Sequence, residues 1–206
     1  MDFMTRIKSF GDNEPIFIEE LKRDFSDYSR AWLFAKLRQL TEEGKLVRFD
    51  VGVYYVPTAT PFGTSKLNPE KVIKKRFVSD NQDIYGFYSG LTLENAIGLT
   101  TQVPNVIEVV SNKESAKVRD IKIGYQTVRA RRSKTLIDKE NVKVLQLLDL
   151  LKNITMSELD SVEHKNFIDY VKKQKLSKEE VIKYSTAYPA VAMKNLMESG
   201  AIYELA

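Results

Sequence analysis

A chain of 206 residues with 43% apolar and 10% aromatic side chains is long enough for two small cores and too apolar to stay disordered. It contains no cysteine, which excludes a disulfide framework, a thiolate metal site and a cysteine nucleophile. The net charge is +4, from 32 Lys and Arg against 28 Asp and Glu, and the excess is local: residues 1–57 carry 9 against 10, residues 58–135 carry 13 against 7, and residues 136–206 carry 10 against 11.

No apolar run reaches membrane-span length, and the first residues, MDFMTRIKSFGDNEP, put charges where a secretory leader needs an apolar stretch. A cytoplasmic protein without a membrane partner is expected. Residues 2–9 predict a short helix ending before Gly11. Beyond Pro15, the spacing of Ile18, Leu21 and Phe25 predicts a second helix. Ser26, Asp27 and Ser29 supply capping oxygens for a third over 29–43, which carries Leu33, Leu37 and Leu40 on one stripe and is stopped by Gly44. LVRFDVGVYYVP, rich in Val, Tyr and Phe around Asp50-Val51-Gly52, predicts a β-hairpin ending at Pro57. Helix, helix-turn-helix and hairpin in this order describe a winged helix-turn-helix DNA-binding domain over residues 1–57.

In such a domain the start of the second helix of the pair enters the major groove. The face opposite the leucines presents Tyr28, Ala31, Trp32, Ala35, Arg38 and Gln39, and Ser29 and Arg30 sit at the tip, suited to phosphate or guanine edges. Lys45 and Arg48 belong to the hairpin and suit phosphate contacts. Trp32 on an exposed face fits a sugar or thymine-methyl contact, or packing against a second domain. The near-neutral charge of this segment weighs against strong non-specific binding, and such modules also bind proteins.

Residues 58–68, TATPFGTSKLN, read as a linker, leaving 69–206 as a second domain. Pro69 opens a helix through Val72, Ile73 and Phe77, and Leu91–Ile97 forms another, stopped by Gly98. Runs 106–111, 118–124 and 125–131, with Gly124 at the tight turn, predict a small antiparallel sheet over 106–131. Helices then fill 139–199, with a Ser177–Glu180 capping box and Gly200 as the stop. The fold class is α+β: a winged helix-turn-helix, a mixed segment with a small sheet, and a helical C-terminal part.

Three pieces carry a family resemblance: EEGKLVRFDVGVYYVP (42–57), YSGLTLENAIGLTTQVP (88–104) with the strand after it, and VRARRSK (128–134). They resemble the AbiEi-like antitoxin and transcriptional-regulator family of bacterial abortive-infection systems, over most of the chain. The resemblance implies a two-part antitoxin of a toxin-antitoxin operon serving phage defence. Its winged helix would bind double-stranded operator DNA as an autorepressor, and the remainder would counter a nucleotidyltransferase-type toxin without a stable complex being assumed. Lys74, Lys75 and Arg76, with Arg129, Arg131, Arg132 and Lys134, form basic clusters suited to DNA backbone, to RNA or to the toxin's substrate, or to a solvated face.

Catalysis has little support. His164 is the only histidine and reads as a surface residue; Asp138 and Glu140 lack a preceding Gly-Ser motif and read as helix-start residues. Ser89-Gly90 and Gly98 read as turn and cap positions, not a phosphate loop. No catalytic residue, metal or cofactor is expected. The alternatives are a plain winged-helix regulator with a ligand-binding or dimerising C-terminal domain, and an enzyme or RNA-binding module using the basic middle segment.

Overall fold

The computed structural model describes residues 2–61 and 63–206; Met1, and Phe62 within the expected linker, lie outside the described residues. The chain divides into two compact units, Met1–Lys75 with Ile123–Tyr125, and Arg76–Lys122 with Gln126–Ala206. The class is α+β.

The first unit opens with helix α1 (Phe3–Lys8), capped by Asp2, whose carboxylate accepts the Met4 N–H. A two-residue strand β1 (Ile16–Phe17) leads directly into α2 (Ile18–Asp24), and a turn then leads to α3 (Arg30–Glu42). Helix α3 starts where Ser29 Oγ accepts the Trp32 N–H at 3.2 Å. It stops before Gly44, whose φ of +68° a side chain would strain. Strands β2 (Val47–Asp50) and β3 (Val53–Tyr55) form a hairpin around Val51 and Gly52, and β1 pairs with β3, giving the antiparallel order β1-β3-β2. Ile7, Leu21, Phe25, Leu33, Leu37 and Leu40 fill the core between the three helices and this sheet.

Within the stretch read as a linker, described residues on both sides of Phe62 form regular structure. Strands β4 (Ala59–Thr60) and β5 (Gly63–Thr64) pair as a small hairpin, and the Thr58 N–H donates to Ser65 Oγ at 2.9 Å. Asn68 then caps α4 (Pro69–Ile73), and Lys71 bonds Glu14 at 2.5 Å, while Lys75 bonds Glu20 at 2.8 Å. These contacts carry the first unit past residue 68. A π-helical turn spans Lys74–Val78.

In the second unit, β6 (Gly86–Tyr88) and α5 (Gly90–Ala96) precede β7 (Val106–Ser111), β8 (Val118–Ile123) and β9 (Gln126–Arg132). The sheet order is β6-β7-β9-β8, with β6 antiparallel to β7 and β7 parallel to β9. The expected antiparallel sheet over 106–131 is therefore corrected to a mixed one, enlarged by β6. The reason lies in the strands themselves. VRDIKI is exposed along most of its length and suits only an edge, whereas β9 buries Val128 and Ala130 and can pair on both sides.

Helix α6 (Val142–Leu151) runs through the centre of this unit, with Val144, Leu145, Leu147, Leu148, Leu150 and Leu151 all buried. Around it pack α7 (Ser161–Gln174), α8 (Lys178–Ser185) and α9 (Ala190–Glu198). Short 3₁₀ turns occupy Met156–Glu158 and Ala201–Glu204. Asp160 and Ser177 cap α7 and α8 through capping boxes with Glu163 and Glu180. His164 is half-buried and its Nε2 lies 3.0 Å from the Ser199 carbonyl, so it is less superficial than its sequence context suggests. Among the described residues no helix is long and apolar enough to cross a membrane.

Candidate nucleic-acid interface

Helix α3 separates two faces. Leu33, Leu37 and Leu40 anchor it to the core, and Arg30, Ala31, Phe34, Ala35 and Arg38 stand exposed on the other side. The two halves of the exposed face differ in how far their polar groups are already used. At the C-terminal end, Arg38 Nε bonds Glu42 at 2.9 Å, Gln39 donates to Glu43 at 2.7 Å, and Lys45 pairs with the same Glu43 at 2.7 Å. The hydrogen bonds from Lys45 and Gln39 hold the Glu43 carboxyl below its usual range. At the N-terminal end, Arg30 makes no ion pair or hydrogen bond among the described residues, and no acidic residue occupies the first turn. The positive end of the helix dipole and a guanidinium thus point to solvent together.

The aromatic residues of this end form a small lattice. Tyr28 stacks on Trp32 with centroids 4.1 Å apart and planes 13° from parallel. Trp32 meets Phe3 edge-on at 5.4 Å, and Phe3 packs on Phe25 at 4.3 Å, with Arg6 lying 4.0 Å over the Phe25 ring. Trp32 is therefore supported from inside the first unit, and it keeps 38% of its surface exposed. Ser29 serves first as the helix cap, which leaves its O–H free to donate. Arg48 is exposed on β2 and its Nε reaches the Asp50 carbonyl at 3.3 Å. A cleft of about 360 Å³ beside α1 and α3 gathers Lys8, Lys36 and Lys45 against Asp2 and Glu43.

The basic middle segment is neutralised only in part, through Lys75, Arg129 and Arg131. Arg129 forms a two-pronged bond to Asp120, both contacts at 2.9 Å. Lys75 bonds Glu20 and the Pro15 carbonyl, and the Arg76 guanidinium lies 5.4 Å over the Phe77 ring. Lys74, Arg132 and Lys134 are exposed. The division of the chain places Lys74 and Lys75 in the first unit and the other five residues in the second.

Arg131 belongs to a cluster that the sequence reading did not single out. Its Nη2 donates to Asp149 Oδ2 at 3.1 Å and to Ser89 Oγ at 2.5 Å, while Lys152 bonds the other Asp149 oxygen. Ser89 and Asp149 are buried. Burial alone would raise the Asp149 carboxyl, but the Arg131 and Lys152 cations, aided by the Ser89 hydroxyl, outweigh it and hold the group below its usual range. The sequence signal was a single carboxylate inside the leucine run LQLLDLL, which at such a position must meet a cation. Phe34 was also missed; it lies four residues after Arg30 on the same face and is 46% exposed. Asp138 Oδ1 accepts the Glu140 and Asn141 N–H groups at the start of α6, a structural use of that carboxylate.

No curated protein matches the chain. Residues 5–180 match the model of a family of unknown function, DUF6088, and the chain belongs to that family.

Proposed function

We propose that the protein is a DNA-binding regulator whose first unit is a winged helix-turn-helix. In this reading α2 and α3 are the helix-turn-helix pair, β2 and β3 are the wing, and the start of α3 enters the major groove. The observation that carries it is the exposed, uncommitted start of α3: Arg30 faces solvent above a helix held from behind by three buried leucines. Ser29 and Arg30 serve phosphate and guanine edges, Tyr28 and Trp32 flank them, Arg48 meets the backbone from the wing, and Lys45 at the base of the wing, paired with Glu43, does so less freely. Arg38 and Gln39, tied to Glu42 and Glu43, contribute less.

The resemblance of residues 42–57, 88–104 and 128–134 to AbiEi-like antitoxins supports the fuller reading. The protein is then an autorepressing antitoxin whose second unit counters a nucleotidyltransferase-type toxin, acting by binding and not by catalysis. The test is a gel-shift series with the DNA upstream of its own reading frame, run at several salt concentrations. Preferential binding that weakens linearly in log–log form with salt is the expected result. Affinity no greater than for unrelated duplex of the same length would sink the regulator reading. Co-expression with the product of an adjacent nucleotidyltransferase-like gene tests the antitoxin role, rescue of growth being the expected outcome.

A further inference from the structure

Phe34 has no structural task that explains it. It stands on the outward stripe of α3, 46% exposed, while Leu33, Leu37 and Leu40 fill the inward one. Among the described residues no ring contact involves it, whereas Phe3, Phe25, Tyr28 and Trp32 form a connected set. One turn before it sits Arg30, and immediately beside it on the same face are Ala31 and Ala35, both exposed. The two alanines lower the helix surface around the ring, so a partner can approach the backbone closely and the ring protrudes as an apolar knob.

A knob of this kind is costly to leave in water and useful only against an apolar feature of the partner. The partner also has to be anionic, because Arg30 and a helix start without acidic residues lie one turn away, α3 holds no carboxylate before Glu42, and Asp27 ahead of it is paired with Arg6. In the major groove of a duplex, the one apolar group on the base edges is the thymine 5-methyl. Resting on the DNA-reading assignment above, we infer that Phe34 reads thymine methyl groups, with Ala31 and Ala35 allowing the approach and Arg30 fixing an adjacent guanine. Trp32, the residue whose type first suggests such a contact, stacks on Tyr28 at the flank and bounds the site instead. The sites chosen by this protein therefore carry thymine within a base step or two of a guanine.

The experiment compares the upstream duplex with the same duplex synthesised with deoxyuridine in place of thymidine, a change that removes only the methyl groups. Burial of one methyl is worth about fourfold in affinity and two about fifteenfold. The wild-type chain is expected to lose affinity within that range on the uracil duplex. Phe34→Ala is expected to bind both duplexes alike, at the weaker level, with an unchanged circular dichroism spectrum as the control for folding. Equal wild-type affinity for the two duplexes overturns the inference and leaves the DNA reading intact, whereas absence of preferential binding to the thymine duplex overturns that reading itself. If wild type ignores the methyl groups and Phe34→Ala instead lowers the sedimenting mass, the ring belongs to a contact between copies of the chain and the inference fails.

Discussion

Replacing Asp149 by Asn keeps the shape of the side chain and removes its charge, leaving Arg131 and Lys152 facing each other without an anion. At the 3.1 Å separation of Arg131 and Asp149, the gross attraction is about 5 kcal/mol in a medium of effective dielectric constant near 20. Desolvation offsets much of that in the intact cluster, yet the penalty for stranding a buried partner is about 3–5 kcal/mol. The side chains of Arg131 and Lys152 keep 24% and 19% of their surface exposed, so both can lean toward water, and the lower end, about 3 kcal/mol, is expected. Urea unfolding followed by far-UV circular dichroism measures this in the second unit, where most of the helix resides. Trp32, the only tryptophan, reports separately on the first. A second variant, Arg131→Met with Asp149→Leu and Lys152→Met, removes the charges together and should recover most of the loss. A loss below about 1 kcal/mol in Asp149→Asn, or a triple variant no better than the single one, would refute the account of Asp149 as the buried anion that makes two half-buried cations tolerable.

The same carboxylate sets an acid limb. Because its folded-state pKa lies below the unfolded value of about 3.9, its contribution is complete above that pH and fades as pH falls through the folded value; the stability gap between wild type and Asp149→Asn should narrow below about pH 4, as read by urea midpoints. Arg30→Ala should weaken binding to the upstream DNA by about 1–3 kcal/mol, the cost of a lost guanine contact. Arg38→Ala should cost distinctly less, since that guanidinium is held by Glu42; equal effects in an anisotropy titration would place the reading surface elsewhere. Ser29→Ala removes the oxygen that accepts the Trp32 N–H and should destabilise the first unit by about 1 kcal/mol in the Trp32 fluorescence transition.

The start and end of α3 could be read from the sequence because the determinants are local: a capping serine, three leucines at helical spacing, and a glycine at the stop. The hairpin of β2 and β3 was legible for the same reason, through its aromatic and β-branched run around Val51 and Gly52. Strand β1 was not, since two residues between a proline and a helix carry no period, and their strand character comes from pairing with Tyr54 and Val53. The parallel pairing of β7 with β9 was invisible too. A tight turn at Gly124 advertises a local hairpin, but which of its two strands reaches β7 depends on burial contributed by residues far away in sequence. The candidate site divided along the same line. Which residues α3 exposes follows from its period, but which of them are already spent on Glu42 and Glu43 emerges only from rotamers. Asp149 falls on no polar stripe, and its need for a cation becomes plain only once α6 is found enclosed on all sides at that turn.

The position of β8 has a consequence for handling the protein. Both rims of the four-stranded sheet are closed to recruitment: β6 offers only three residues, and β8 places Arg119, Asp120 and Lys122 along the other border. An incoming strand would have to bury those charges to extend the ladder. The apolar stretch VIEVV, the segment of this sheet best suited to fibril growth, is thereby shielded between neighbours once the second unit has folded. Aggregation, where it occurs, should begin from chains that have not yet laid β9 against β7.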